Sequence, residues 1–258
     1  MTDVTASIYG IERHCAAAWP AVHVEEMDGW EMRFSPRSTS KRVNSLNPMT
    51  PHVGRFPDVL DWARGRCKAR GVTCHIRINP LAAPECADVL TAMGVMPANE
   101  TRVQIMSVNG NKTAMSDGVI LETTRDQGWL DAYAEMHGDD REARQQIGSM
   151  LDQVTMKQVF ASFAADGHIL AVGRAACGDG LGGIFQIMTR PEARRRGLGR
   201  RIMAALLGWC GENGAKQAYL QVEAANSVAC SLYGSLGFAD MYRYAYWTLP
   251  PTDRHVIG

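Results

Sequence analysis

Arg194-Arg-Arg-Gly197-Leu-Gly199 stands between a short apolar run and the start of a long amphipathic segment. Upstream, Gly183-Ile-Phe-Gln-Ile-Met-Thr189, bounded by Gly182 and Pro191, reads as a strand buried on both faces. Downstream, Leu198, Ile202, Leu206 and Trp209 fall at i, i+4, i+8 and i+11, one stripe of a helix facing a core. Glycines at such a junction let the backbone approach a ligand and leave N–H groups pointing at it, and the helix N-terminus adds partial positive charge. Six arginines lie between Arg190 and Arg201 against one acid, Glu192. The stretch predicts a pyrophosphate cradle made of Arg194, Arg195, Arg196, Gly197, Leu198, Gly199 and Arg200.

Two other phosphate motifs compete for these residues. A Walker loop needs Lys-Ser/Thr after its last glycine, and Gly199-Arg200-Arg201 does not supply it. A dinucleotide fingerprint fits better, since Glu223 ends the next strand near where a ribose-binding acid would lie, but Ile202 stands in place of the third glycine. The plain alternative is a glycine N-cap beside solvated arginines.

With its downstream partner the loop resembles the acetyl-CoA loop of the GNAT N-acetyltransferase superfamily. That partner is Ala218-Tyr-Leu-Gln-Val-Glu-Ala-Ala-Asn226-Ser-Val-Ala-Cys-Ser-Leu-Tyr233-Gly-Ser-Leu-Gly237-Phe238, which is similar to the superfamily's strand-Asn-helix-Tyr-x-x-x-Gly-Phe. The resemblance implies an α/β fold whose mixed, mostly antiparallel twisted sheet is flanked by helices. It also implies that the strand before the loop and the strand after the helix splay apart to admit pantetheine. Backbone groups of Ile187, Met188 and Thr189 would then pair with pantetheine and polarise the thioester. Asn226 and Tyr233 would contact the cofactor, with Tyr233 protonating the departing thiolate. Read without the resemblance, Asn226 is a helix N-cap and Tyr233 a half-buried aromatic. Val228, Leu232 and Leu236 are expected to form the buried face of that helix.

Composition bounds the rest. A chain of 258 residues, 46% hydrophobic with a formal net charge of zero, has room for one large domain or two small ones and no global basic excess for nucleic acid. Seven scattered cysteines without Cys-x-x-Cys spacing read as reduced thiols of a cytoplasmic protein. No run of about 18 apolar residues predicts a membrane span, and the seven histidines show no metal-ligand spacing.

Element order suggests a duplication. Strands at 21–26, 30–34 and 41–46, a loop, a helix at 57–70, a strand at 74–79 and a helix at 85–93 lead to Ala92-Met-Gly-Val95. The second half runs strand, loop, helix, strand, helix to Ser235-Leu-Gly-Phe238. We therefore expect a degenerate GNAT-like domain at 1–108, a linker at 109–117 and a cofactor-binding domain at 118–258 that keeps some binding when isolated unless it exposes too much interface. Prolines in the first loop, Asn47-Pro-Met-Thr-Pro-His-Val-Gly-Arg-Phe-Pro57, remove amide donors, so one acetyl-CoA per chain is expected. Tyr242, Tyr244 and Tyr246 alternate onto one face of the last strand and read as sheet packing.

The base is where the sequence departs from the superfamily. Gln221 stands where ribosomal-protein acetyltransferases carry glutamate, and an amide cannot take the amine's proton. Glu223, or water positioned by Gln186 or Gln221, is the alternative. The function implied is acetyl transfer from acetyl-CoA to a primary amine, of a small molecule first and of a protein or peptide second. An acyl-CoA sensor without turnover is a third reading, acceptor specificity is assigned to loops such as Met136-His-Gly-Asp-Asp-Arg141, and oligomerisation is left open.

Overall fold

Asp-Gly pairs at 28–29, 166–167 and 179–180 all adopt positive φ, the conformation that lets a two-residue turn match the twist of the strands it joins. They close three antiparallel hairpins: β1 (His23–Met27) with β2 (Trp30–Phe34), β7 (Lys157–Ala165) with β8 (His168–Gly178), and β8 with β9 (Leu181–Thr189). The computed structural model describes residues 2–50, 55–108 and 117–250. The linker expected at 109–117, except Asp117, lies outside the described residues, as does Pro51-His-Val-Gly54 of the first loop.

The remaining elements are α1 (Thr2–Ala18), β3 (Leu46–Pro48), α2 (Phe56–Arg70), β4 (His75–Ile78), α3 (Glu85–Ala92), β5 (Pro97–Ser107), β6 (Val119–Glu122), α4 (Gln127–His137), α5 (Arg141–Asp152), α6 (Leu198–Glu212), β10 (Gln217–Glu223), α7 (Ser227–Ser235) and β11 (Ala239–Thr248). All strands join one 11-stranded sheet in the order β1-β2-β3-β4-β11-β5-β10-β9-β8-β7-β6. The duplication is written into this order. Reading inward from β1 gives antiparallel, antiparallel, then parallel pairing (β3 with β4), and reading inward from β7 gives the same sequence ending at β9 with β10. At the centre the copies exchange strands. β11, the last of the chain, pairs with β4 of the first half, and β5, the last of the first half, pairs with β10 of the second. β5 and β11 pair with each other, so the two GNAT-like halves share one continuous sheet.

One expected strand is not formed. Over 41–46 the chain makes a short 3-10 turn, Lys41–Val43, before β3 begins at Leu46. Asn44 explains the difference, because its amide satisfies backbone groups that a strand would have paired. Its Oδ1 accepts from Ser35 N–H at 2.7 Å, and its Nδ2 donates to the carbonyls of Ser35, Ser38 and Ser40 at 3.1, 2.8 and 3.2 Å. Ser35–Asn44 is therefore a pinned loop.

Strand alternation sorts the core into two layers. Ala218, Leu220 and Val222 of β10 face Ile202, Met203 and Leu206 of α6, while Tyr219 between them faces Ile8, Ile11 and Cys15 of α1. Trp129, Leu130 and Tyr133 of α4 and Ile147, Met150 and Leu151 of α5 pack with Trp19 and Val172. The first half has its own core around Trp30, Leu46, Val59, Leu60, Ala63 and Leu90. The tyrosine stripe is sheet packing: Tyr242, Tyr244 and Tyr246 are all buried, and Tyr242 donates to Glu12 at 2.7 Å inside a buried Glu12–Arg77 pair. All seven cysteines are free thiols. No helix among the described residues is long and apolar enough to cross a membrane.

Candidate active site

The site begins at a bulge. On β8 Val172 and Arg174 are two positions apart, but their partners on β9, Met188 and Phe185, are three apart, and the extra residue is accommodated at Gln186 with φ 58°. Beside the bulge, the parallel ladder between β9 and β10 runs from Leu181↔Gln217 to Ile184↔Leu220 and stops. Beyond it the two strands diverge, and the edge of β9 at Ile187, Met188 and Thr189, paired with β8 on its other side, is left open. An extended ligand can pair there as an added strand does.

On one side of the divergence lies a cleft of about 810 Å³ lined by Ile187, Met188, Thr189, Arg194, Arg195, Gly197, Leu198, Gly199, Arg200, Asn226, Val228, Leu232 and Tyr233. Its floor is the start of α6. Arg195 and Gly197 both take positive φ, and Gly197 ends the loop as a helix cap without a side-chain partner. The first backbone bond into the helix is Arg201 N–H to Gly197 C=O at 3.1 Å, so the amides of Leu198, Gly199 and Arg200 precede the ladder and point outward. A Cβ built on Gly197 would meet no protein atom within 4 Å, which places the glycine against open space. Arg196 is exposed but does not line the cleft. Arg200 donates to Ser235 at 2.6 Å, tying α6 to α7.

Asn226 caps α7, its Oδ1 accepting from Ala229 N–H at 3.1 Å. Tyr233, seven residues on, is buried against Phe238, and burial pushes its hydroxyl up to about 12. The expected apolar face of α7 needs correction. Val228 is 81% exposed at the cleft, and Leu232 and Leu236 are only partly buried, because α7 turns Tyr233 rather than Val228 toward the core.

On the other side lies a polar cavity of about 360 Å³. Ile187, Met188, Asn226, Ala229 and Tyr233 line both spaces, so the two meet where β9 and β10 part. The cavity is closed by both halves of the chain: Trp19, Ser38, Thr39, Ser40 and Arg42 from the first, and Tyr133, His137, Asp139, Gln186, Gln221 and Glu223 from the second. Gln221 is held at both ends, its Nε2 donating to Cys15 Sγ and its Oε1 accepting from Tyr244, each at 2.9 Å. Glu223 is exposed at the strand end.

Histidine 137 was not singled out in the sequence, although its loop was. Trp129, Tyr133 and His137 lie at i, i+4 and i+8 on α4 and stack successively, with ring centroids 5.7 and 5.4 Å apart. Gly138 then caps the helix at φ 85° and turns the chain back, which brings Asp139 Oδ1 to 2.9 Å from His137 Nδ1. A carboxylate only accepts, so Nδ1 carries a proton and, in the neutral imidazole, Nε2 is the acceptor.

Comparison with known proteins gives the family to which the chain belongs. A family model described as "Probable histone acetyltransferase Rv0428c C-terminal" matches residues 5–247. The chain belongs to this family, within the GNAT N-acetyltransferase superfamily. Among relatives of this GNAT protein, the uncharacterized N-acetyltransferase YobR of Bacillus subtilis is 24% identical over 251 residues, covering 92% of this chain and 96% of YobR. A GCN5-related N-acetyltransferase from Kribbella flavida shares the fold at a TM-score of 0.69 and 16% identity, covering 96% of each chain. A tandem GNAT protein from the clavulanic acid biosynthesis pathway shares it at a TM-score of 0.66 and 14% identity, over 94% of this chain and 89% of that one.

Proposed function

We propose that this GNAT protein transfers an acetyl group from acetyl-CoA to the primary amine of a small molecule, by direct attack in a ternary complex. The observation that carries the reading is the meeting of the two spaces at the divergence of β9 and β10: a cleft floored by free helix amides and a polar cavity share Tyr233 and Met188. The amides of Leu198, Gly199 and Arg200, with Arg194 and Arg195, suit a pyrophosphate, and acetyl-CoA would supply the activated acyl group. A main-chain N–H at Ile187–Thr189 would polarise the thioester carbonyl. The Tyr233 phenol, protonated at neutral pH like any tyrosine, would donate to the departing thiolate.

His137 is the proposed base, its free Nε2 accepting the ammonium proton while Asp139 fixes the ring. Glu223 lines the same cavity and is the alternative. The family description names a histone acetyltransferase, which favours a protein amine. The small-molecule reading is preferred because Ser38–Ser40 and Arg42 of the first half close the cavity that a peptide would have to cross.

Release of CoA thiol from acetyl-CoA, measured across a panel of amines and peptides, tests the reading. His137→Gln should lower kcat by about 10²–10⁴ while leaving acetyl-CoA affinity unchanged. Asp139→Asn should give a smaller loss. If Glu223→Gln abolishes turnover and His137→Gln does not, the base is Glu223. No thiol release with any amine, together with normal acetyl-CoA binding, would favour a sensor.

A further inference from the structure

Three residues that line the 360 Å³ cavity each carry a buried side-chain polar atom with no hydrogen-bond partner: Arg42 Nε, Gln186 Nε2 and Asp139 Oδ2. Their chemistry is complementary in a specific way. Arg42 makes no hydrogen bond or ion pair to any carboxylate among the described residues, while the carboxylate on the α1 side, Glu12, is taken by Arg77 and Tyr242. A guanidinium held in a cavity without a counter-charge is costly, and its planar fork matches a carboxylate. The loop that carries it is fixed by the four hydrogen bonds of Asn44, so its position does not depend on a ligand.

Gln186 adds a second donor whose orientation is forced. Arg174, fully buried, donates through Nε to the side-chain oxygen of Gln186 at 2.7 Å; a guanidinium has only donors, so that atom is Oε1 and the amide nitrogen faces the other way. The opposite kind of group is also present. Asp139, whose side chain is 6% exposed, offers its unpartnered Oδ2, with its other oxygen on His137. Arg42, Tyr133 and Asp139 line the same cavity, so the base and the acid stand around one small volume.

We propose that the acceptor is a small zwitterion, an amine that also carries a carboxylate, and that Arg42 holds the carboxylate with Gln186 while Asp139 and His137 receive the amine. This deepens the acetyltransferase reading and rests on it for the acetyl donor. The same chemistry has a second source, the distal carboxylate of a dicarboxylic acyl thioester, and the test separates the two.

The test compares glycine, β-alanine, 4-aminobutyrate, 6-aminohexanoate and the L-α-amino acids with their carboxamides and parent alkylamines, using acetyl-CoA and following thiol release. The amino acid that is turned over best should exceed its carboxamide by about 10²–10³-fold in kcat/KM, the loss typical of leaving a buried charge unpaired. Arg42→Gln should erase that ratio, and Arg42→Lys should restore only part of it because the fork is lost. Acetyl-CoA affinity, measured by calorimetry, should be the same in all three proteins. Its loss in the wild type would overturn the acetyltransferase reading instead. Equal turnover of acids and amides, or an unchanged ratio in Arg42→Gln, overturns the zwitterion. If succinyl-CoA outperforms acetyl-CoA only while Arg42 is present, the carboxylate belongs to the donor and the acceptor assignment is wrong. A readout without turnover is phenylglyoxal modification of Arg42 followed by peptide mapping. Protection by the amino acids and not by their amides is expected, and absence of protection by every carboxylate contradicts the proposal.

Discussion

Burial moves Tyr233 and His14 in opposite directions, each toward its neutral form. The Tyr233 phenol is protonated at neutral pH, and burial raises it further to about 12. Tyr233→Phe keeps the ring packed on Phe238, so acetyl-CoA should bind almost normally while turnover falls about 10²–10⁴-fold. Single-turnover kinetics at the parental rate would make Tyr233 a packing residue only. His14 sits between α1 and β10 with Nδ1 2.7 Å from the Tyr219 hydroxyl, and burial lowers its imidazole to about 4 from the ordinary 6.5. As pH falls from 6.5 toward 4 the unfolded chain binds a proton there that the folded chain refuses. Folding stability should therefore decline through that window by up to about 3 kcal/mol. Urea denaturation at pH 7 and pH 5 should show the decline in wild type and a smaller one in His14→Gln.

Elements were legible where side-chain period and turn chemistry agree, and illegible where polar side chains replace backbone pairing. The stripe Leu198, Ile202, Leu206 and the Asp28-Gly29 and Asp166-Gly167 turns are local signals, and α6 and both hairpins form where they indicate. Residues 41–46 were expected to form a strand, but Asn44 spends its amide on Ser35, Ser38 and Ser40, a contest that residue order alone does not reveal. The cradle residues Gly197, Leu198 and Gly199 are contiguous in sequence and could be picked out. Arg42 meets His137 and Asp139 only through tertiary contact, so neither spacing nor motif joined the two halves of the cavity. Asn44→Ala should cost about 1–3 kcal/mol by leaving the Ser35 amide and three carbonyls without their partner. It should also raise the acceptor KM through Arg42 without changing acetyl-CoA affinity. An unchanged KM in the variant would mean that the loop does not touch the acceptor.

At the scale of the whole molecule, the exchange of β5 and β11 was hidden because strand order is a non-local property that element order does not encode. It changes what a truncation means. Residues 118–258 alone lack β5, leaving the β10 edge unpaired along Gln217–Glu223 and β11 without its partner β4. We expect that fragment to be aggregation-prone and not to bind, whereas addition of a fragment spanning residues 1–108 should restore binding. A soluble, binding-competent 118–258 would contradict this. The halves also differ at the helix that follows the first parallel strand. α2 carries Pro57 in its first turn where α6 offers amides, consistent with one acetyl-CoA per chain.

The account depends most on the start of α6 being the place where acetyl-CoA is held. Gly197→Val puts a branched side chain into space empty of protein and onto a backbone at φ 78°, so it obstructs the ligand and adds local strain. Titration calorimetry of acetyl-CoA into the wild type and into Gly197→Val, with folding checked by circular dichroism, is the direct measurement. The account predicts one site per chain in the wild type and an affinity at least about 10²-fold weaker in the folded variant, as expected when backbone contacts to a phosphate are lost. Equal affinity in the two proteins would contradict it.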